Sequence, residues 1–471
     1  YGISDALADV TSSGSTTNTQ SNNAGSNTAI TGGYESSTTY QSGSSSNSTT
    51  NNETNNSTNQ KTAVNKIDNK VVKDRILRQM NDVLMSGSAK NGKLKPLFGQ
   101  VDEIAIDTTT GRPFRTGAGV LKDLEATDVQ DQGRTSTCWS FSSLSFFESE
   151  IIRLKNERHN LSEMFIARNA YLGKAENYLR MYGTFTFGPG GAFHDIPWVI
   201  KRYGIVPEEV YEGLNYGITT HKHSEMEAVL DAAVKALAKK PQNGKLTPVW
   251  KDAVEGILDA YLGELPSNIE DFNFTYKGKE YNPKSFSKSL GLNMEDYISI
   301  TSFSHHPFYS QFVLEVQDNW AMQSSYNLPL DEFMNVMEQA IMNGYTFGWG
   351  ADVSEKGFGY RDALAIVPED ESTIQKSGKD SKRFNDAGAI RISNAFVSPV
   401  KERNITQEDR QIAFDNQETT DDHGMHVTGL VEDQKGTKYF IVKNSWGESN
   451  DRDGSVSYTH LRAHETLRYL V

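Results

Sequence analysis

A single cysteine, Cys138, serves the whole 471-residue chain. No internal disulfide can form, so the core alone must hold the fold. A free thiol suits the cytosol, yet exported proteins also occur without disulfides, so the cysteine count leaves the compartment open. No run of 18 apolar residues exists, and nothing in the sequence reads as a helical membrane span. Positive charge is in deficit: 47 Lys and Arg face 61 Asp and Glu, for a net charge of −14. That balance argues against electrostatic binding to nucleic acid. Position 1 is Tyr rather than Met, so the sequence is silent on any signal peptide.

Residues 1–60 have no Lys or Arg at all and consist mostly of Ser, Thr, Asn, Gly and Gln. Such a segment buries too little apolar surface to offset its ordering entropy and is expected to be a disordered tail. It carries N-glycosylation sequons at Asn47, Asn52 and Asn56, which a tract of this composition generates unavoidably. From Lys61 the composition changes. Val72, Ile76, Met80, Val83 and Leu84 recur at helical spacing and predict one amphipathic helix, ended by Gly92-Lys-Leu-Lys-Pro96. Thr110-Gly-Arg-Pro113 reads as a turn.

The chain is organised around Gln132-Gly-Arg-Thr-Ser-Thr-Cys138-Trp-Ser-Phe-Ser142. After the cysteine, Trp139, Phe141, Leu144, Phe146, Phe147, Ile151 and Ile152 predict a helix to about Lys155, with small serines between them. A cysteine at a helix N-terminus feels the positive end of the dipole, which favours the nucleophilic thiolate. The alternative is a buried cysteine acting as a small hydrophobe. Leu161-Ser-Glu-Met164 opens a second helix. Phe187-Gly-Pro-Gly190-Gly191 follows: backbone without side chains lets a ligand approach closely, although a plain turn has the same composition. Ile196, Val199, Ile200 and Tyr203 then predict a short helix ending at Gly204.

Between about 220 and 345 the pattern is mainly helical. Three stripes are expected to be core faces: Met226, Val229, Leu230, Ala233 and Leu237; Trp250, Val254, Ile257, Leu258 and Tyr261; and Leu330, Phe333, Met337, Ala340 and Ile341. His221-Lys-His223 and His305-His306 have the residue type for a metal, but the sequence supplies no clear third ligand, and no metal or cofactor is expected. From Tyr345 strands dominate: 345–353, 363–367, 389–397, and a hairpin with arms His426–Val431 and Tyr439–Lys443 about Lys435-Gly436. Asp451-Arg-Asp453-Gly454 lacks the later ligands of a calcium loop and reads as a turn.

A cysteine nucleophile needs a base, and the base needs an orienting group. The hairpin offers Asp422-His423-Gly-Met-His426 on one arm and Lys443-Asn444-Ser-Trp446-Gly447 at the end of the other. The ends farthest from a hairpin turn meet, so a histidine near 423 and Asn444 are expected neighbours. Residues three apart on a strand point to opposite faces, so only one of His423 and His426 faces the cysteine, and spacing does not choose between them.

Val129-Gln-Asp-Gln132-Gly…Cys138-Trp-Ser-Phe-Ser142 resembles the nucleophile segment of papain-type cysteine peptidases. In that family a Gln six residues before the Cys donates to the oxyanion hole, the place of Gln132 here. Asp422-His423-Gly-Met resembles the family's Asp-His-Ala-Val and implies His423 as the catalytic imidazole. Asn444-Ser-Trp446-Gly447 is similar to its Asn-Ser-Trp-Gly, in which the Asn orients the His and the indole covers their hydrogen bond. Gly190-Gly191, with Tyr203-Gly204-Ile after it, resembles the glycine pair that binds substrate backbone.

Cys138 and His423 are 285 positions apart, whereas papain-like enzymes need ~130–150. The surplus, the predicted helical stretch, and segments such as Phe272–Tyr276, Trp349–Val353 and Ala413–Gln417 resemble the bleomycin hydrolase and aminopeptidase C branch. The resemblance implies an α+β, papain-like, two-lobed fold: a helical lobe with a central Cys helix, an antiparallel β lobe, and a helical insertion at about 220–345. It covers about 123–454, after an N-terminal extension at 61–122. It also implies a cytoplasmic thiol aminopeptidase acting on peptides and assembling as a homo-hexamer; the alternatives are an endopeptidase and a non-catalytic binding protein on the same fold. Two departures stand out. Ser136 occupies a family Gly position, where positive φ would cost about 1 kcal/mol or more. Residues 455–471 resemble neither the final strands nor the C-terminal gating arm of the family, and read as sequence foreign to it.

Overall fold

The computed structural model describes residues 104–106, 113–117, 119–378, 389–396, 400–432, 437–448, 450, 453–458 and 469–470. The expected tail over 1–60 with its sequons, the helix over Val72–Leu84 and the Lys435-Gly436 turn lie outside them.

Helix α1 (Cys138–Lys155) is buried on every side over its first fifteen residues, so it has no solvent face to mark with charge. Its serines let other backbone approach and satisfy their own hydroxyls: Ser140 Oγ donates to Glu163 O at 2.9 Å and Ser142 Oγ to Cys138 O at 2.7 Å. The helix stops at Asn156, which takes a left-handed conformation (φ 56°) and donates its N–H to Ile152 O. Helix α2 (Glu163–Arg180) starts where Ser162 Oγ accepts the Phe165 N–H at 3.0 Å. With α3 (Asp195–Tyr203), α4 (Ser224–Ala238), α5 (Trp250–Leu262) and α6 (Pro283–Ser289), these helices enclose one core, in which Phe146, Phe147, Phe165 and Tyr171 are almost fully buried.

The second core lies between α7 (Leu330–Met342) and an eleven-stranded sheet. In chain order its strands are β1 (Val120–Asp123), β2 (Ser299–Thr301), β3 (Gln311–Val313), β4 (Ser324–Asn327), β5 (Phe347–Ala351), β6 (Phe358–Gly359), β7 (Leu364–Ala365), β8 (His423–Glu432), β9 (Lys438–Lys443), β10 (Ser455–Tyr458) and β11 (Tyr469–Leu470). The order across the sheet is β6-β7-β10-β9-β8-β5-β11-β2-β4-β3, with β1 also on β8. Strand β8 is central: β9 covers one edge, while β5 pairs with His423–Val427 and β1 with Gly429–Val431 on the other. The β8–β9 register shifts between Val427 and Gly429, a bulge. Within the last seventeen residues, Ser455–Tyr458 pair with β9 over four positions and Val456 is buried in the second core.

Residues 220–345 hold α4 to α7, but also strands the periodicity did not announce. Phe274–Tyr276 and Lys279–Tyr281 form a hairpin about Lys277-Gly278, both at positive φ (48° and 75°), the combination a two-residue turn requires. Strands β2, β3 and β4 join the large sheet. Strands of three or four residues are too short for alternation to show. The first predicted stripe also narrows: Met226, Leu230 and Val234 are buried, whereas Val229 is 40% exposed.

Candidate active site

Cys138 is the first residue of α1, and no side chain caps that N-terminus. The first amides of the helix therefore stay available to an incoming anion. The Gly424 N–H, one residue along β8 from His423, bonds to the Cys138 thiol. Strand β8 thus holds nucleophile and imidazole in adjoining positions. His423 Nε2 lies 2.7 Å from Asn444 Oδ1, which also accepts the Ser445 N–H at 2.7 Å. The second bond fixes the oxygen end of the amide, so His423 carries its proton on Nε2 and its lone pair on Nδ1. Trp446 lies against the imidazole, ring centroids 4.7 Å apart, and is backed by Tyr360 at 4.9 Å. All four side chains are largely buried.

The helix dipole, which favours the thiolate, is opposed at Cys138 by burial. Burial pushes the thiol up to about 12; the Gly424 N–H opposes this, and the charges of Asp318, Asp421 and Asp422 add to it. Desolvation outweighs one helix terminus, so a thiolate here needs a cation beside it.

Gln132 is tied to the segment that follows β9. Its N–H donates to Ser445 O at 2.9 Å and its Oε1 accepts from Ser445 Oγ at 2.7 Å. Its Nε2 gives one proton to Thr135 O at 2.8 Å and keeps the other. Ser136 is absent from the residues with positive φ, so the strain expected of serine in place of glycine does not arise. The loop leading into β8 is clamped by Asp352, whose Oδ2 accepts the Thr420 N–H at 2.7 Å, while Asp422 Oδ1 accepts the Val353 N–H at 2.9 Å.

Gly190 and Gly191 lie along the same site. A Cβ on Gly191 would stand 2.7 Å from Asp195 Oδ2 and 2.8 Å from the Trp139 ring. Lys174 Nζ holds the loop from beneath, donating to the carbonyls of Gly188 (3.3 Å), Pro189 (3.2 Å) and Gly190, and Trp139 Nε1 donates to Pro189 O at 3.1 Å. Because Asp195 and Trp139 are fully enclosed and cannot retreat, Gly191→Ala is expected to destabilise the protein by about 1–3 kcal/mol. It should also lower kcat/KM at least about tenfold, as read by urea denaturation beside peptide hydrolysis.

The two histidine pairs fare differently. His223 is buried with neither ring nitrogen hydrogen-bonded, and burial lowers it to about 3; it packs against His221 as a neutral core ring. His305 and His306 do gain a third partner that the sequence did not reveal: their Nε2 atoms lie 3.1 and 3.0 Å from the two oxygens of Glu315. Gln411 Oε1 is taken by the Ser304 and His305 N–H groups, so its Nε2 faces His305 Nδ1 at 3.1 Å as a donor. That places the His305 proton on Nε2, donating to Glu315, and the hydrogen bonding closes without an ion. The site residues that motif reading missed are Ser445, Asp352, Lys174 and Asp318. Ser445 and Asp352 lie inside the quoted segments Asn444-Ser-Trp446-Gly447 and Trp349–Val353 without a role being assigned to them, whereas Lys174 and Asp318 lie outside every motif.

Comparison with known proteins follows the same lines. A model described as the Peptidase C1-like family matches residues 175–364, a span between Cys138 and His423. Aminopeptidase G of Lactobacillus delbrueckii subsp. lactis is 22% identical over 417 residues, covering 81% of this chain and 86% of that protein. Aminopeptidase C of the same organism is 24% identical over 409 residues, with 79% and 83% covered. Among solved structures, PepW from Lactobacillus rhamnosis matches with a TM-score of 0.53 at 18% identity, over 74% of this chain and 81% of that one, a likeness of fold.

Proposed function

We propose that the chain, a papain-type cysteine peptidase on the comparisons above, is an aminopeptidase working through Cys138, His423 and Asn444. The observation that carries the reading is the His423–Asn444 hydrogen bond on a strand whose next N–H binds the Cys138 sulfur. With Nε2–H committed to Asn444, the Nδ1 lone pair is the base. It takes the thiol proton, and the imidazolium so formed is the cation that the buried thiolate requires.

The sulfur then attacks the scissile carbonyl. Its oxygen, now anionic, is held by the Cys138 N–H and by the second N–H of Gln132 Nε2, an arrangement in which each donor is typically worth roughly 10²–10³ in turnover. His423 returns its proton to the departing amine, leaving an acyl-thioester on Cys138. Water, deprotonated by the same Nδ1, attacks the thioester; the acid leaves and the thiol is restored. Trp446 keeps water from the His423–Asn444 bond, and Gly190-Gly191 offer bare backbone to the peptide. The aminopeptidase assignment draws on relatives that carry that name.

The test compares one peptide amide with a free or an acetylated N-terminus. The free amine is expected to be cleaved with a kcat/KM about 10²-fold higher, a gap corresponding to one charged contact. Equal rates would turn the reading to an endopeptidase. Absence of hydrolysis on either peptide would turn it to a binding protein on the same fold.

A further inference from the structure

Asp318 stands outside the catalytic set, yet its carboxylate reaches the groove. A Cβ on Gly190 would lie only 2.2 and 2.3 Å from its two oxygens, so they rest directly over the bare Cα of the glycine loop. The same carboxylate is close enough to act on the charge of Cys138.

The segment bearing it is fixed. Asn319 Nδ2 donates to Leu314 O at 3.0 Å and to Gln323 O at 3.1 Å. Trp320 Nε1 donates to Asp195 Oδ2 at 2.6 Å, and Asn177 Nδ2 holds Trp320 O at 2.7 Å. Asp318 itself remains partly exposed. Among the described residues no hydrogen bond or close ion pair is made to its oxygens. The obvious candidate, Lys174, has committed its three protons to the carbonyls of Gly188, Pro189 and Gly190, and acts on Asp318 only through space. A positioned carboxylate without a donor, beside a substrate groove, calls for a cationic group on the ligand.

We infer that Asp318 anchors the free α-ammonium of the peptide's N-terminus over Gly190, and so confines cleavage to bonds near that end. The inference rests on the aminopeptidase reading above and names the residue that would enforce it. It has a second consequence. Because the Asp318 charge opposes ionisation of Cys138, an ammonium seated on it removes that opposition, and the correct substrate eases formation of the thiolate.

Asp318→Asn keeps the shape and removes the charge. It is expected to lower kcat/KM about 10²-fold for the free-amine peptide and less than about 3-fold for its N-acetylated twin. Alkylation of Cys138 by iodoacetamide, a neutral probe of the chain's lone thiol, should be undiminished or faster in the variant. Asp318→Glu should recover part of the free-amine rate. Equal loss on both peptides with slower alkylation would reduce Asp318 to a groove-shaping residue and overturn the proposal, as would no loss on either. Wild-type protein that cleaves neither peptide would fail the peptidase reading, and wild-type protein that cleaves both alike would fail the aminopeptidase reading and the anchor with it; a wild-type preference for the free amine that Asp318→Asn leaves intact would fail the anchor alone.

Discussion

Cys138→Ala is expected to abolish peptide hydrolysis, a loss of about 10⁴-fold or more, while the thermal unfolding midpoint stays near that of the wild type. The substitution removes the sulfur and leaves the helix backbone, with its N-terminal amides, in place. Turnover by the variant at the wild-type rate would dismiss the covalent route. The same residue allows a sharper measurement, because it is the only cysteine in the sequence. A thiol raised to about 12 and acting alone would react with iodoacetamide appreciably only in strong alkali. If His423 takes its proton, alkylation proceeds at neutral pH, and His423→Ala moves the reaction into the alkaline range. An unchanged pH profile in that variant would separate the two residues chemically.

His423→Ala should lose nearly as much activity as Cys138→Ala, whereas His426→Ala should keep most of it. The two imidazoles are three residues apart on β8 and have opposite hydrogen-bonding fates. Lys443 Nζ donates to Ser145 Oγ at 2.7 Å, so the serine proton points at His426 Nδ1, 2.9 Å away. The His426 lone pair is thereby occupied, and burial, with Lys443 adding to it, holds the ring neutral well below the usual histidine range. Removing it leaves Ser145 without its acceptor and opens a cavity, a cost of about 1–3 kcal/mol in stability rather than in rate. The pH dependence has a definite sign. The unfolded chain protonates this histidine below about pH 6.5 and the folded chain does not, so the wild type loses stability as pH falls through that range. The loss should be shallower in His426→Ala when denaturant midpoints are compared between pH 7 and pH 5. Activity lost at His426 and kept at His423 would reverse the assignment.

Much of this site was legible because its residues sit in short contiguous motifs whose spacing is a local property. The helix after Cys138, the hairpin that returns Asn444 to His423, and the parity separating His423 from His426 all follow from periodicity and strand geometry. Parity left the choice of histidine open, and only the likeness of Asp422-His423-Gly-Met to a known motif favoured one. What stayed hidden was brought in by long-range packing. Asp318 reaches Gly190 across more than a hundred positions, Ser445 grips Gln132, and Glu315 joins His305 and His306. Amphipathic pattern tells which face is covered, never by what. The ionisation of Cys138 was only half legible for a related reason: the dipole is visible in a helix start, but the depth of burial that opposes it is not.

The hydrogen bond between His423 and Asn444, so far from Cys138 along the chain, also sets a schedule. A ribosome adding about 5–20 residues per second releases Cys138 roughly 14–57 s before His423. Throughout that interval the emerging polypeptide displays an ordinary thiol with no base beside it. Only when β8 docks on α1 and Asn444 follows is the proposed triad assembled. The order of synthesis therefore delays the meeting of the two side chains until most of the polypeptide has been made.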